Sequence, residues 1–181
     1  FVAEVGAGRR GVLVAEASGG CRGAAVVERV SARTSLLAWL AVDDSCRGRG
    51  VGAALLDAAL AACWEPGVTL VVAEIELPGR TPTDQRHGDP ARRARFYAQR
   101  GARALGARHW QPPVADDAEF VELLLIAFPD AAGRLDVDPD AVAEFQRAYL
   151  AGHEGTDAWQ AALAVADAGV ALTDLGRLYG F

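Results

Sequence analysis

The stretch LAVDDSCRGRGVGA, residues 40–53, decides the fold. An apolar strand ends in an arginine- and glycine-rich loop, which runs directly into an Ala- and Leu-rich helix beginning near Val51. Glycines let the main chain approach a ligand closely, and the first turn of a helix leaves several N–H groups unpaired. The helix dipole adds partial positive charge there, and the arginines add full charges. The sequence therefore predicts a pyrophosphate-binding loop, formed by Arg47, Gly48, Arg49, Gly50 and Gly52.

Three kinds of nucleotide-binding loop share this outline. A Walker loop needs Gly-Lys-Ser/Thr, and the chain contains no lysine, so this class is excluded. A dinucleotide-binding loop fits better, because Gly48, Gly50 and Ala53 match G-x-G-x-x-A after a strand. Such loops are usually followed, about 20 residues on, by an acid that binds ribose. Glu74 and Glu76 lie a little beyond that distance, and neither is expected at the end of its strand.

The third kind of loop has the pattern Arg-x-x-Gly-x-Gly. Arg47, Gly50 and Gly52 match it and follow a Leu-Ala-Val strand. This arrangement resembles the acyl-CoA pyrophosphate loop of the GNAT superfamily of N-acyltransferases. The resemblance covers roughly residues 11–128, and it favours an acyl-CoA loop over a dinucleotide loop.

A second segment, residues 90–102, is similar to the GNAT helix written Asn-x-x-Ala-x-x-Phe-Tyr-x-x-x-Gly-Phe. The residues that match are Phe96, Tyr97 and Gly101, whereas Pro90, Arg93 and Ala102 replace the usual Asn, small residue and Phe. Two partial matches in the family's order and at a plausible spacing are stronger evidence than either match alone.

The resemblance implies an N-acyltransferase that uses acyl-CoA, most simply acetyl-CoA, and a primary amine in a ternary complex. Val42 lies where family members offer backbone groups to the acyl-CoA. The residues expected to bind the cofactor are Val42, Arg47, Gly48, Arg49, Gly50, Val51, Gly52 and Ala53.

The chemistry of amine attack on a thioester needs a proton acceptor and a proton donor. Strand alternation predicts that Glu74 and Glu76 share one face, with their carboxylates about 7 Å apart. By resemblance Glu74 is the first choice of base and Glu76 the second, and Tyr97 is the expected general acid. The alternatives are that both carboxylates are solvated strand-edge groups and that Tyr97 packs in the core beside Phe96.

Composition limits the other functions. The chain has 181 residues, of which 51% are hydrophobic, enough to bury a core. A formal net charge of -6 argues against a nucleic-acid partner. The cysteines show no C-x-x-C spacing and the histidines no metal-binding spacing, so neither a disulfide scaffold nor a metal site is expected, and each histidine is interpreted as a surface or hydrogen-bonding group. These residues are Cys21, Cys46, Cys63, His87, His109 and His153.

Membrane and compartment are also predicted from the sequence. No apolar run approaches the roughly 20 residues that span a bilayer, and no signal-peptide pattern is present, so a cytoplasmic protein with no membrane partner is expected. Only about ten residues precede the first hairpin, where GNAT domains usually have a strand and two helices, and the chain begins with Phe1. That observation leaves open a catalytically silent acyl-CoA-binding domain as the alternative function.

Hydrophobic periodicity predicts an α/β fold with a mixed, mostly antiparallel sheet flanked by helices. The third strand is continuously apolar and is therefore expected to be covered on both faces. Strands are predicted at 11–17, 23–30, 35–42, 70–77, 103–107 and 121–128, with a hairpin turn at 18–20, and helices from 51 and over 91–100.

Residues 1–128 are interpreted as the acyltransferase domain, and 129–181 as a helical extension. Asp138-Pro139 and Thr156 are predicted helix starts, with Val142, Phe145 and Tyr149 on one face and Trp159, Leu163 and Ala166 on the next helix. These faces are expected to cover the sheet or form a homodimer without contacting the cofactor. Loops 78–89 and 109–117 are expected to shape the amine pocket, through Arg80, Asp84, Arg86, His87, Trp110, Asp116 and Asp117.

Overall fold

A computed structural model describes residues 2–5, 10–17, 20–79, 89–113, 118–164 and 169–181. The chain divides into two compact units, Phe1–Val71 and Val72–Phe181. Several predicted features lie outside the described residues: the turn residues Ser18 and Gly19, Ala166 on the last predicted helix, and the loop residues Arg80, Asp84, Arg86, His87, Asp116 and Asp117.

The first unit is an antiparallel meander covered by one helix. Its strands occur in the order β1-β2-β3-β4, and α1 packs on β2, β3 and β4. Leu55 and Leu56 of α1 are fully buried, because they lie on the apolar face that the helical period brings against the strands. The elements are β1 (Val2–Val5), β2 (Arg10–Ala17), β3 (Gly20–Arg29), β4 (Thr34–Val42) and α1 (Val51–Cys63).

Strand β4 is less buried than the sequence predicts. Its first four residues, 34–37, are buried, but burial then alternates, and Trp39 is 68% exposed. The prediction that both faces are covered along the whole strand was therefore wrong for the second half. An apolar run does not by itself distinguish a fully covered strand from one whose exposed face carries a large hydrophobic residue.

Close packing between β3, β4 and α1 depends on Gly23. A Cβ atom at this position would lie 2.7 Å from the carbonyl oxygen of Ala41 and 2.8 Å from Cδ1 of Leu55. Because one of these neighbours is backbone, it cannot move aside without shifting β4.

The variant Gly23→Ala is expected to lower the free energy of unfolding by about 1–3 kcal/mol, the usual range for overpacking a tight contact. Urea unfolding followed by circular dichroism measures this change. An unchanged free energy of unfolding would contradict the close approach of β3 and β4 at Gly23.

The second unit combines the remaining strands with four helices among the described residues. Its strands occur in the order β5-β7-β6-β8, and β6 pairs antiparallel with both β7 and β8. Helix α4 packs on β6 and α3, and α2 packs on α5. The elements are β5 (Leu70–Ile75), α2 (Pro90–Ala98), β6 (Arg103–Gln111), β7 (Val121–Phe128), α3 (Pro139–Tyr149), α4 (Asp157–Leu163), β8 (Leu172–Asp174) and α5 (Leu175–Tyr179).

The helix starts follow local chemistry. Asp138 accepts a hydrogen bond from the Asp140 N–H and precedes a proline at the first helical position, and Thr156 accepts one from the Trp159 N–H. Both predicted starts are confirmed. The strand limits differ most at three places. Strand β3 begins at Gly20, which was predicted in the turn, and β6 continues to Gln111. Strand β5 ends at Ile75, so Glu76 follows the strand instead of lying within it.

The apolar face of α3 is buried within the chain itself. Val142 and Phe145 are both 0% exposed. The extension therefore covers its own unit, and these residues do not require a second subunit. A homodimer stays a prediction, without support from this helix face.

The ranges that the structure describes contain neither a candidate membrane span nor a candidate metal site. Within those ranges, no helix is both long and apolar enough to cross a bilayer. No group of three or more His, Cys, Asp or Glu side chains in the same part of the chain is arranged to hold a metal ion.

Candidate functional site

In the first unit, the predicted pyrophosphate loop follows β4 through a short 3-10 turn, Asp44–Cys46. Asp43 caps this turn, accepting hydrogen bonds from the Ser45 N–H at 2.9 Å and from the Ser45 hydroxyl. The bond from the Ser45 hydroxyl is the main cause that lowers the pKa of Asp43, followed by the bond from the Ser45 N–H. The carboxylate thus fixes the direction in which the loop leaves the strand.

Two loop glycines adopt a backbone conformation that other residues avoid. Gly48 has φ 74° and Gly50 has φ 83°, both in the left-handed region. A Cβ added to either residue would have no atom of the described chain within 4 Å. The glycines are therefore required by the backbone turn, and the space beside them is open to a ligand.

Helix α1 presents free donors at this loop. The first helical bond runs from the Ala54 N–H to the Gly50 carbonyl at 3.0 Å, and no side chain caps the helix. The N–H groups of Val51, Gly52 and Ala53 have no hydrogen-bond partner among the described residues. Three orphan donors and the positive end of the helix dipole make an anion-binding position.

The two arginines of the loop are exposed, as expected for groups that would meet a ligand. Arg47 pairs with Asp44 at 2.8 Å, and both side chains are more than half exposed. Such a surface ion pair contributes little to stability, so Arg47 can readily replace Asp44 with another anion. Arg49 is also exposed, and it holds the loop through its N–H to the Cys46 carbonyl at 3.4 Å.

Val42 turns its amide away from β3. In the antiparallel pair of β3 and β4, Val42 lies opposite Gly23, and the next residue, Asp43, donates its N–H to Arg22 at 2.9 Å. Hydrogen-bonded and non-hydrogen-bonded pairs alternate along an antiparallel ladder, so the Val42 and Gly23 pair is of the second kind. The Val42 N–H is therefore not used by β3.

In the second unit, Glu74 of β5 is held by two side chains from distant parts of the sequence. Its Oε1 lies 2.6 Å from Nε2 of His109 on β6, and its Oε2 accepts a hydrogen bond from the Tyr149 hydroxyl on α3 at 3.0 Å. The Glu74 side chain is 9% exposed and that of His109 is fully buried. Glu74 is not a solvated strand-edge group.

The aromatic rings of α3 pack against the histidine. The His109 ring centroid lies 5.7 Å from that of Phe145 and 5.3 Å from that of Tyr149, and the two α3 rings stack on each other at 5.3 Å. His109 Nδ1 is buried and has no hydrogen-bond partner within the described chain. Nε2 is thus the ring nitrogen that binds Glu74.

Glu76 contacts other elements. Its Oε1 accepts a hydrogen bond from Arg93 of α2, and its backbone oxygen accepts one from the Tyr179 hydroxyl of α5. Its Oε2 is buried without a partner in the described ranges. The predicted two-carboxylate face therefore does not form a single cluster: Glu74 binds β6 and α3, and Glu76 binds α2 and α5, because the strand ends between them.

Tyr97 of α2 is buried, with 7% of its surface exposed. Its ring packs against Phe96 at 5.4 Å and Phe128 at 5.7 Å between centroids. Burial raises the pKa of Tyr97 to about 12, while the Arg93 charge lowers this pKa and the Glu76 charge raises it. The phenol is therefore protonated throughout the neutral range.

This raised pKa predicts an alkaline loss of stability. The folded state keeps the Tyr97 proton after the unfolded chain has lost it. The contribution of Tyr97 to the free energy of unfolding is therefore fully present below pH 10 and is lost as the pH rises to about 12. The difference between a pKa of about 12 in the folded protein and 10 in the unfolded chain corresponds to about 3 kcal/mol of unfolding free energy. Urea unfolding between pH 9 and 12 should show a shallower decline for Tyr97→Phe than for wild type, and parallel declines would contradict the assignment.

Sequence reasoning missed the partners of Glu74. The sequence predicts a surface or hydrogen-bonding histidine at position 109, and the second description is confirmed. Tyr149 was placed on the apolar face of α3, but its hydroxyl was not assigned a partner. Gln146 lies on the same face, is fully buried, and donates to the Arg108 carbonyl at 2.9 Å. Polar residues at 146 and 149 on an otherwise apolar helix face were the available signal of a polar partner beneath.

Trp110, which the sequence predicts in the amine pocket, lies near the end of β6 and contacts Arg108. The Arg108 guanidinium lies over its ring, 4.4 Å from the centroid, and also donates to Glu122 at 3.1 Å. These contacts restrain the end of β6.

Comparisons with known proteins identify the family and the fold. A family model described as "Acetyltransferase (GNAT) domain" matches residues 8–101. A solved structure of a putative GNAT-family acetyltransferase from Bacteroides thetaiotaomicron has a TM-score of 0.59 and 17% identity, covering 82% of this chain and 76% of that one. An IAA acetyltransferase from Bacillus cereus has a TM-score of 0.50 and 16% identity, covering 66% and 77%. No curated protein matches significantly.

Proposed function

The chain belongs to the GNAT family of acetyltransferases, and from this premise we propose that it transfers an acetyl group from acetyl-CoA to a primary amine by direct attack in a ternary complex. The observation that carries the proposal is the loop at residues 47–53, where orphan helix donors meet two glycines in the left-handed conformation. Its pattern and its geometry both fit a pyrophosphate.

The loop residues suit this cofactor physically. The N–H groups of Val51, Gly52 and Ala53 would donate to the pyrophosphate oxygens, and Gly48 and Gly50 leave room for them. Arg47 and Arg49 would supply positive charge, with Arg47 exchanging Asp44 for phosphate. Bound acetyl-CoA would supply the acyl group as an activated thioester.

The Val42 N–H is suited to polarise the thioester carbonyl, because β3 does not use it. A backbone donor aimed at an oxygen that becomes negative stabilises the transition state more than the ground state. We therefore propose that the Val42 N–H donates to the oxyanion.

Glu74 is proposed as the base. A primary amine is largely protonated at neutral pH, since the pKa of an alkylammonium is about 10.4, and it must lose a proton before it can attack. Among the described residues, each Glu74 oxygen has one hydrogen-bond partner, which leaves it a second lone pair. Glu74 can therefore accept the proton, directly or through a water molecule. Glu76 is the second candidate, through its unpaired Oε2.

Tyr97 is proposed as the donor to the departing thiolate. Its pKa of about 12 keeps the phenol protonated, so a donor is always present. The same raised pKa makes it a weaker acid than a thiol, whose pKa is about 8.5. We therefore expect a strong hydrogen bond to the thiolate, with full proton transfer following from solvent.

Calorimetric titration tests the cofactor assignment. Acetyl-CoA should bind with a single-site isotherm, and NADH, which also carries a pyrophosphate, should not bind. Tight NADH binding with none for acetyl-CoA would reverse the assignment in favour of a dinucleotide loop. Acetyl-CoA binding without transfer to any amine would support the catalytically silent alternative.

A further inference from the structure

A buried polar cluster joins the predicted base to the C-terminal extension. Glu74, His109 and Tyr149 lie on β5, β6 and α3, and they are 35 and 75 residues apart in the sequence. Both carboxylate oxygens receive a donor, on a side chain that is 9% exposed. Donors that replace lost water stabilise a buried carboxylate, and these two bonds supply such donors to Glu74.

The histidine is best described as a neutral donor. Its Nε2 faces Glu74, and its Nδ1 is buried without a partner among the described residues. A protonated ring would carry a second N–H at Nδ1 with no acceptor, which is more unfavourable than an unpaired lone pair. The carboxylate therefore carries the negative charge, and the Nε2–H orients it.

Helix α3 holds the tyrosine in place. Phe145 is fully buried against the histidine ring, and Gln146 donates to the carbonyl of Arg108, the residue before His109. Asp138 caps the other end of the helix. The Tyr149 hydroxyl is thus fixed relative to His109, and the two donors reach Glu74 as one rigid group.

We infer that His109 and Tyr149 are positioning residues for Glu74, so that helix α3 of the extension belongs to the acyltransfer site. They orient the carboxylate and favour its ionised, proton-accepting form. This inference rests on the proposed function, and it gives the extension a role beyond the expected covering of the sheet or homodimer interface.

Few titratable groups among the described residues lie next to Glu74. Among the described residues, the titratable groups bonded to it are His109 from β6 and Tyr149 from α3. Glu76, two residues along, is paired with Arg93 of α2. Removing the Tyr149 hydroxyl should therefore take away one of the two donors that stabilise the charged carboxylate, so that a higher pH is needed for full activity.

The test is the pH profile of turnover for Tyr149→Phe, with acetyl-CoA and the fastest acceptor from a set of alkylamines, amino-acid amides and short peptides. The acidic limb should move to higher pH by about one unit, the size expected for a hydrogen bond to a charged group. Tyr179→Phe is the matched control, because it removes a tyrosine hydroxyl of the same extension that bonds the backbone of Glu76. Its acidic limb should stay in place.

Histidine variants provide a second measurement. His109→Gln keeps an N–H donor near the Nε2 position, whereas His109→Leu removes it, so the glutamine variant should retain at least tenfold more turnover.

The outcomes are separable. An inactive wild-type protein would refute the proposed acetyl transfer itself. An active wild type whose acidic limb is unmoved in Tyr149→Phe, or is moved equally in Tyr179→Phe, would overturn the positioning role and leave acetyl transfer standing.

Discussion

Glu74→Gln is expected to lower the turnover of acetyl-CoA with a primary amine by roughly 10²- to 10⁴-fold, the range typical of losing a general base. The change is nearly isosteric: the amide oxygen can still accept from His109, and the amide group can face the Tyr149 hydroxyl. The fold and the affinity for acetyl-CoA should therefore stay close to wild type. Steady-state kinetics with calorimetry separates turnover from binding.

Two further carboxylate variants complete this experiment. Glu122→Gln is the control, because Glu122 pairs with Arg108 at the surface and should lose little or no turnover. Glu76→Gln decides between the two candidate bases. If Glu76→Gln is inactive and Glu74→Gln is not, Glu76 with its unpaired Oε2 is the base, and the assignment of Glu74 is wrong.

Gly50→Asp is expected to weaken acetyl-CoA binding by at least roughly 100-fold. The residue has φ 83° directly before the first turn of α1, so a side chain there strains the backbone and places a negative charge beside the proposed pyrophosphate position. The helix dipole that favours an anion would then be partly offset by the new carboxylate. Calorimetric titration with acetyl-CoA measures the loss.

Matched variants separate the effect of backbone strain on acetyl-CoA affinity from the effect of charge. Gly133→Asp introduces the same side chain at φ 75°, also with no atom of the described chain within 4 Å of its Cβ, but in the loop after β7. It should lower stability without altering the affinity for acetyl-CoA. Gly50→Ala imposes strain without charge and should fall between wild type and Gly50→Asp. Equal affinities for Gly50→Asp and wild type would exclude this loop as the cofactor site.

The loop and the helix starts could be predicted because their determinants are adjacent in the sequence. A strand, an Arg/Gly loop and a helix start occupy only residues 40–53, and the geometry found there follows from local rules. The caps at Asp138 and Thr156 are equally local, and both are present. Local chemistry limits the backbone to few conformations, so the sequence is sufficient at these positions.

The cluster around Glu74 could not be predicted in the same way. Its bonds join residues 74, 109 and 149, and only the three-dimensional packing brings them together. A single histidine has no spacing pattern, and the alternation that placed Glu74 and Glu76 on one face assumed a strand longer than the one that forms. Where a strand ends before Pro78, alternation no longer determines the direction of the next side chain.

The most direct test of the central claim is mass spectrometry of the amines after incubation with wild-type protein and acetyl-CoA. We expect a primary amine whose mass increases by one acetyl group, in amounts equal to the free CoA released, and a loss of that product in Glu74→Gln. Acetyl-CoA that remains intact with every class of primary amine, under conditions where calorimetry shows it bound, would contradict the account.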